Sequence, residues 1–471
     1  MLMIFKCTWL FFYVKYANVA SDYNKDYFHQ EVFGMKKDKI IIKFNQNVIE
    51  HRKNNNLLLK PLALQNNLFK QLSYIAVVPD EILQTQSLIN NINFSSLSGM
   101  FYIKGSESLT VNEKQQLLTQ LNGYDFIEYA ELECTRLASS ILSRSEQLND
   151  IETPDFTKKQ EYKLGAGQFW TGIDMEYAWS LGVTGKGIRI ADIEAAFNYQ
   201  HINLQRDSFI PLVVSDDVNE LEINHGTAVA GVMYAKELGF GVKGMVHGAD
   251  ALYGISVKPY DAAGGIVRGL QHLRAGDIFI YELSTQSRAD DDTTQVPADF
   301  CQSVWDITKA ATDAGIIIIA AAGNGGENLD DDFYAPYRAR GDNGAIRVGA
   351  GSKNQICRAF STYGKTMIHV QAWGDSVVTT GFGTLYDGGP NNNYASNFDG
   401  TSAATPIVAS AAIAIQSWYK RQTGRVLTPK EMRSLLIETG TPQRPGFINN
   451  HIGPLPNVRN AINALQQGLQ Q

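Results

Sequence analysis

The segment Phe398-Asp399-Gly400-Thr401-Ser402-Ala403-Ala404-Thr405-Pro406 sets a serine between a glycine-threonine turn and a run of small residues leading into an apolar helical stretch. Pro406 is tolerated in a first helical turn, where its missing N–H has no intrahelical partner to lose. The layout predicts Ser402 at a helix N-terminus, where unpaired N–H groups and the positive dipole end can hold a developing oxyanion. Such a hydroxyl needs a base. Asn224-His225-Gly226-Thr227-Ala228-Val229-Ala230-Gly231 offers an imidazole on a small-residue stretch suited to a helix packed closely on a sheet. Gly185-Lys186-Gly187-Ile188-Arg189-Ile190-Ala191-Asp192 runs from a glycine turn through a β-branched strand to a carboxylate. The carboxyl ends of strands are where open α/β sheets form sites. Asp192 would accept the Nδ1–H of His225 while Nε2 deprotonates Ser402. Asp216 and Asp217 lie nearer His225 in sequence, but in a loop-like stretch.

A fourth element, Ile316-Ile317-Ile318-Ile319-Ala320-Ala321-Ala322-Gly323-Asn324, reads as a buried strand ending in a glycine and an amide. Asn324 would donate to the oxyanion beside the Ser402 N–H, a contact whose loss typically costs about 3–4 kcal/mol of transition-state stabilisation. Taken singly, each residue has an ordinary reading. Ser402 could cap a helix, His225 could be a satisfied core histidine, Asp192 could end a strand, and Asn324 could form a turn. Together, in the order Asp, His, Asn, Ser, they favour nucleophilic catalysis.

The HGTAVAG, AAAGN and GTSAATP segments resemble those of the subtilases, the subtilisin-like serine peptidases, over roughly residues 165–465. The resemblance implies a three-layer α/β fold with a mainly parallel central sheet, and peptide-bond hydrolysis through an acyl-enzyme. Carried over by position, Asp192, His225 and Ser402 form the triad and Asn324 completes the oxyanion hole. An extended substrate would lie beside a strand at Tyr281–Thr285, with Tyr281, Glu282, Leu283, Ala321, Ala322 and Gly323 lining the cleft. The sequence departs from the family pattern in three places. Asp192 is followed by Ile193-Glu194-Ala195-Ala196 instead of Thr or Ser and Gly. The cleft strand reads Ile280-Tyr281-Glu282-Leu283-Ser284-Thr285 instead of Ser-Leu-Gly-Gly. Gln371-Ala372-Trp373-Gly374-Asp375 replaces an Ala-Pro-Gly stretch.

Asp192 and Glu194, two apart on an extended chain, point to one face. Glu194 and Glu282 could add negative charge near the histidine or shape an acidic cleft; the ordinary expectation is structural hydrogen bonds to loops. No cofactor is expected for catalysis. Structural calcium is conceivable for the family, but Asp330-Asp331-Asp332 lacks the alternating ligand spacing of a calcium loop and reads as a solvated charged stretch. The remaining histidines show no metal-ligand spacing. Two rival functions use the same residues: a subtilase scaffold that binds without turnover, and an esterase or transacylase.

The 471 residues carry a net charge of -7 and no long basic run, which argues against nucleic acid as a partner. No apolar stretch is long enough to span a bilayer. Residues 1–20 resemble a signal peptide, pointing to a secreted or periplasmic protein, with a buried first strand or helix as the alternative. Residues 21–135 have strands expected at Lys39–Phe44, Leu72–Val78, Phe101–Lys104 and Phe126–Glu133; the last resembles the end of a subtilase propeptide, which implies a small α+β intramolecular inhibitor and folding template, the alternative being a permanent accessory domain. Thr110 and Glu113 there form a capping-box pattern. Residues 136–165 read as a linker with the processing site, and 166–468 as the catalytic domain, whose later part has Thr428 as N-cap and Pro429 at a first helical position. With Cys7 and Cys134 removed in maturation, Cys301 and Cys357 would remain, as one disulfide or two free thiols.

Overall fold

The structure, a computed structural model, describes residues 38–470 except 54–55, 61–66, 85–91, 134, 138–151, 166–170, 258–260, 289–290 and 447–449. The signal-like segment and Cys134 lie outside the described residues.

A small antiparallel sheet comes first, from β1 (Lys39–Phe44), β2 (Tyr74–Ala76), β3 (Met100–Ile103) and, after helix α1 (Val111–Leu121), β4 (Ile127–Glu133), in the order β2-β3-β1-β4. The period of two divides β1: Ile40, Ile42 and Phe44 pack on Phe69 and Phe101, while Ile41 turns to the larger body. At α1 the Thr110 hydroxyl accepts the Glu113 N–H and the Glu113 carboxylate accepts the Thr110 N–H, the capping box read from sequence.

After β5 (Thr135–Leu137), the larger body is built from β6 (Arg189–Glu194), β7 (Phe209–Val213), α2 (Glu220–Tyr234), β8 (Ala251–Ser256), α3 (Asp261–Leu270), β9 (Ile278–Tyr281), β10 (Leu283–Arg288), β11 (Asp291–Pro297), α4 (Gln302–Asp313), β12 (Ile317–Ala321), β13 (Ile346–Gly351), β14 (Val370–Trp373) and α5 (Thr401–Thr423). Seven of these strands form one sheet in the order β14-β13-β12-β9-β6-β8-β7, with every neighbouring pair parallel. Alternate residues feed two cores. Ile190, Ile278, Ile280, Ile317 and Ile319 face the buried residues of α2 and α5, while Ala191, Ile193, Phe279, Tyr281 and Ile318 face α3, α4 and the small sheet. The result is a three-layer α/β body. Its strand order reverses around β6, so the carboxyl ends of β6 and β9 open onto the crevice where such sheets place sites.

The small sheet docks through charge as well as apolar contact. Glu131 of β4 accepts the N–H groups of Gln302 and Ser303, both at 2.8 Å, at the start of α4. Glu133 accepts the Ala263 N–H at 2.7 Å in the first turn of α3. Carboxylates so placed satisfy orphan donors and complement the helix dipoles.

Part of the expected 136–165 linker is packed instead of extended. Phe156 and Tyr162 are buried in the core beneath α2 and α5, and the Tyr162 hydroxyl donates to the Val378 carbonyl at 2.9 Å. Thr428 caps a helix at Pro429–Thr439 with proline at its first position, as its sequence predicts. Cys301 and Cys357 are both buried and are not bridged to each other, and burial pushes the Cys357 thiol up to about 11. No helix among the described residues is long and apolar enough to cross a membrane.

Candidate active site

Helix α2 is anchored by a capping box in which Asn219 accepts the Glu222 N–H and Glu222 accepts the Asn219 N–H. Its small residues let it approach the end of β6 closely: a Cβ on Gly226 would lie 2.2 Å from the Ala196 carbonyl oxygen. That approach sets His225 against the last residue of β6. Its Nδ1 lies 2.9 Å from Oε2 and 3.1 Å from Oε1 of Glu194, both side chains buried.

The carboxylate that meets the ring is therefore Glu194, which corrects the sequence assignment of Asp192. Both residues point to the α2–α5 face of β6, but two residues span about 6–7 Å along a strand, and only the one at the strand's end reaches past the sheet edge. Asp192 stays within the sheet, flanked in register by Gly254 and Ile280. It is fully buried and, among the described residues, neither of its carboxylate oxygens has a hydrogen-bond partner. Burial, and then the neighbouring Glu194 charge, push its pKa well above the usual carboxylate range.

The expected cleft strand is broken at Glu282, which falls between β9 and β10. Tyr281 pairs with Ile193, so the next step brings Glu282 beside Glu194 at the ends of neighbouring strands. Its carboxylate is buried and, contrary to the expectation of loop contacts, neither oxygen has a hydrogen-bond partner among the described residues. Burial first, then Glu194 and Asp192, drive its pKa well up; the adjacent Ser402 hydroxyl, short of a full hydrogen bond, draws it partly back.

Ser402 is the second residue of α5, behind Gly400, whose φ of 89° is a left-handed value open to glycine. The Thr401 N–H and hydroxyl donate to Asn324 Oδ1 at 2.9 and 3.0 Å, so an amide from a distant loop caps this helix. With Oδ1 so engaged, Asn324 has its Nδ2 donor end on the opposite side of the amide. Pro406 corrects another expectation: it sits inside α5, beyond the first turn. There it denies the Ser402 carbonyl the N–H that a helix would supply four residues on.

Ala321, Ala322 and Gly323 lead from β12 to Asn324 and are all buried. Along the other wall, β10 has two neighbours, β5 and β11. β5 pairs antiparallel with it, Leu137 opposite Leu283, Arg136 opposite Ser284 and Thr135 opposite Thr285.

With this geometry, comparison with known proteins is decisive. Residues 185–454 match the model of the Subtilase family. The chain belongs to that family. It is a serine-type endopeptidase of the subtilisin-like kind. It is 30% identical over 332 residues to alkaline elastase YaB of Bacillus sp. (strain YaB), covering 68% of this chain and 79% of that one. It is 31% identical over 254 residues to subtilisin BL of Lederbergia lenta, covering 52% of this chain and 83% of that one. Minor extracellular protease Epr of Bacillus subtilis (strain 168) is 25% identical over 275 residues, 58% of this chain and 38% of that protein.

Within this subtilase, Glu194 holds the place beside His225 that sequence reasoning gave to Asp192. Face parity cannot choose between Asp192 and Glu194; strand length can, since the strand closes at the residue before the small pair Ala195-Ala196. In the acidic loop, Asp330 accepts the Lys365 N–H at 2.8 Å and the Thr366 hydroxyl at 2.9 Å. Among the described residues, no group of three or more His, Cys, Asp or Glu side chains is placed to hold a metal ion.

Proposed function

We propose that this subtilase is an exported, self-processed endopeptidase whose triad is Ser402, His225 and Glu194. The observation that carries the reading is the antiparallel pairing of Thr135–Leu137 with Leu283–Thr285: a peptide backbone lies along the wall of the cleft beside the nucleophile-bearing helix. Strand addition of this kind suits a peptide substrate, because its affinity comes from main-chain hydrogen bonds that an ester or small acyl group cannot offer. It also supports residues 38–137 as an inhibitory propeptide whose tail occupies the cleft until it is cut. The relative named as an extracellular protease supports export.

The chemistry we infer builds on the His225–Glu194 contact and on the Asn324 cap of α5. Ser402 Oγ attacks the scissile carbonyl carbon while its proton passes to Nε2 of His225. Glu194, on Nδ1, fixes the tautomer and stabilises the imidazolium. The carbonyl oxygen becomes an oxyanion held by Asn324 Nδ2 and the Ser402 N–H at the positive end of α5. The imidazolium then protonates the leaving amine, leaving an acyl-serine that water hydrolyses by the same route. The test compares full-length wild type with Ser402→Ala. Self-cleavage in wild type alone supports the reading; two intact chains favour a binding scaffold, and turnover of simple esters without peptide cleavage favours an esterase.

A further inference from the structure

The wall of the cleft has an unusual backing. β10 presents one edge to β5 and the other to β11, which returns antiparallel with Val296 opposite Thr285 and Pro297 opposite Ser284. On its far side β11 lies directly on the loop that carries Asn324. The Gly325 N–H donates to the Gln295 carbonyl at 3.2 Å, and the Thr362 hydroxyl donates to the same oxygen at 2.7 Å. The approach is so close that a Cβ on Gly323 would sit 2.7 Å from the Gln295 oxygen, and one on Gly325 only 2.3 Å from the Gln295 nitrogen. Val296 is fully buried in one apolar cluster with Ala322, Leu329, Tyr334 and Tyr337.

A substrate laid along β10 with its carbonyl between Ser402 and Asn324 would present the side chain of that residue to the space between Glu282–Ser284 and Ala321–Gly323, the two segments that flank the cleft. A wide gap between those segments would admit a ring or a long chain. Here the backbone of β11 bridges it. We infer that β11 fills the space for the side chain preceding the scissile bond, so that this endopeptidase cuts after glycine, alanine and serine. The inference rests on the peptidase reading above and adds its substrate class. The chain's own sequence agrees: Leu137 pairs with Leu283, and the residue that follows it is Ala138, before Ser139 and Ser140. Residues 138–151 lie outside those described, so the agreement is one of sequence and register.

The test is digestion of a mixed peptide library by the mature wild-type enzyme, with every cut read by mass spectrometry and Ser402→Ala as control. We expect cuts after Gly, Ala and Ser to exceed those after Leu, Phe, Tyr or Lys at least tenfold, and the self-processed chain to begin at Ser139. Val296→Gly, which removes the β11 side chain packed against Ala322 and loosens the strand there, should raise cutting after Leu and Phe several-fold relative to Ala. A wild-type preference for large residues overturns this inference and leaves the peptidase reading standing. Absence of any cut beyond the Ser402→Ala control overturns both. Because the library digest uses the wild type, it decides the matter even if Val296→Gly fails to fold.

Discussion

His225 and Ser402 stand on helices α2 and α5, whereas Glu194 and Glu282 stand at the ends of strands β6 and β9, and the two settings constrain their residues differently. The helices need glycine and alanine at fixed spacing to pack onto the sheet, as the contact of Gly226 with Ala196 illustrates. Each therefore carries a long, specific sequence pattern that fixes the functional side chain to a single position. A strand end imposes little beyond parity and length. Carboxylates two residues apart are equivalent by pattern, and only the closing of the strand separates the one that meets His225 from the one that stays in the sheet. Catalytic duties carried by strand ends can thus shift by two residues, or change from Asp to Glu, while the helix-borne partners look unchanged.

The most direct way to break this comparison is to exchange the two carboxylates of β6. Glu194→Gln should lower kcat about 10⁴-fold, the cost seen when the carboxylate behind a catalytic histidine becomes an amide. Asp192→Asn should leave kcat within a few-fold of wild type. The reverse ranking would restore Asp192 to the triad and remove the strand-end argument. Burst-phase and steady-state rates on one peptide substrate supply both numbers.

Asn324 sharpens the contrast from the helix side, because its oxygen is bound to the first residue of α5. Asn324→Ala should cost about 10²–10³ in kcat with KM little changed, as expected for a donor used chiefly in the transition state. Asn324→Asp keeps an oxygen for Thr401 but loses the donor. If Asp restores stability without restoring kcat, capping and oxyanion binding are separate duties of one amide; recovery of kcat by Asp would refute the donor role.

The parallel sheet, the helix bearing His225, the loop bearing Asn324 and the start of α5 were legible in the sequence because each couples a buried run to a glycine-limited turn. The Thr110 and Thr428 caps were legible because their partners lie three residues away. Three features were not. Glu194 was hidden by face parity. Pro406 was placed in the first turn because the pattern marks the start of α5 only to within a turn, and the helix begins at Thr401. The filling of the cleft by β11 depends on contact between Gln295 and Gly323–Gly325, segments far apart in the chain, and no local pattern encodes it.

Glu282 tests what a strand end adds to the chemistry. It is faced by Glu194 and Asp192 from β6 and by the Ser402 hydroxyl from α5, and Glu194 in turn binds His225. Its pKa is raised, by burial first, so it is neutral at low pH and gains charge only as pH rises well beyond the usual carboxylate range. An anion there stands beside the position where the oxyanion forms and opposes it. We expect kcat/KM of wild type to fall on the alkaline side, and Glu282→Gln to retain activity several-fold better at that end while the acid limb is unchanged. The alkaline limb belongs to the interacting carboxylates together, so it should shift and not merely shrink when Asp192 is neutralised. Superimposable profiles for wild type and Glu282→Gln would exclude the carboxylate from the reaction.

The smallest effect expected is on stability, and it isolates the carboxylate left inside the sheet. An Asp in an unfolded chain titrates at about pH 3.9. In the folded protein Asp192 is held well above that, by burial and then by Glu194. A raised folded pKa means the native state binds the proton more tightly than the unfolded state. Its stabilising contribution is therefore complete below the unfolded pKa and is lost as pH climbs through the folded one. Asp192→Asn keeps the shape and cannot ionise, so it should be no more stable than wild type in acid and increasingly more stable toward alkaline pH. Every tenfold by which folding tightens proton binding corresponds to about 1.4 kcal/mol, and each kcal/mol to about 2–4 °C in Tm for a body of this size class. The comparison belongs in a Ser402→Ala background, where self-digestion cannot distort the melting curve. A Tm difference independent of pH would mean that Asp192 is ionised in the folded protein, with a partner that compensates its charge.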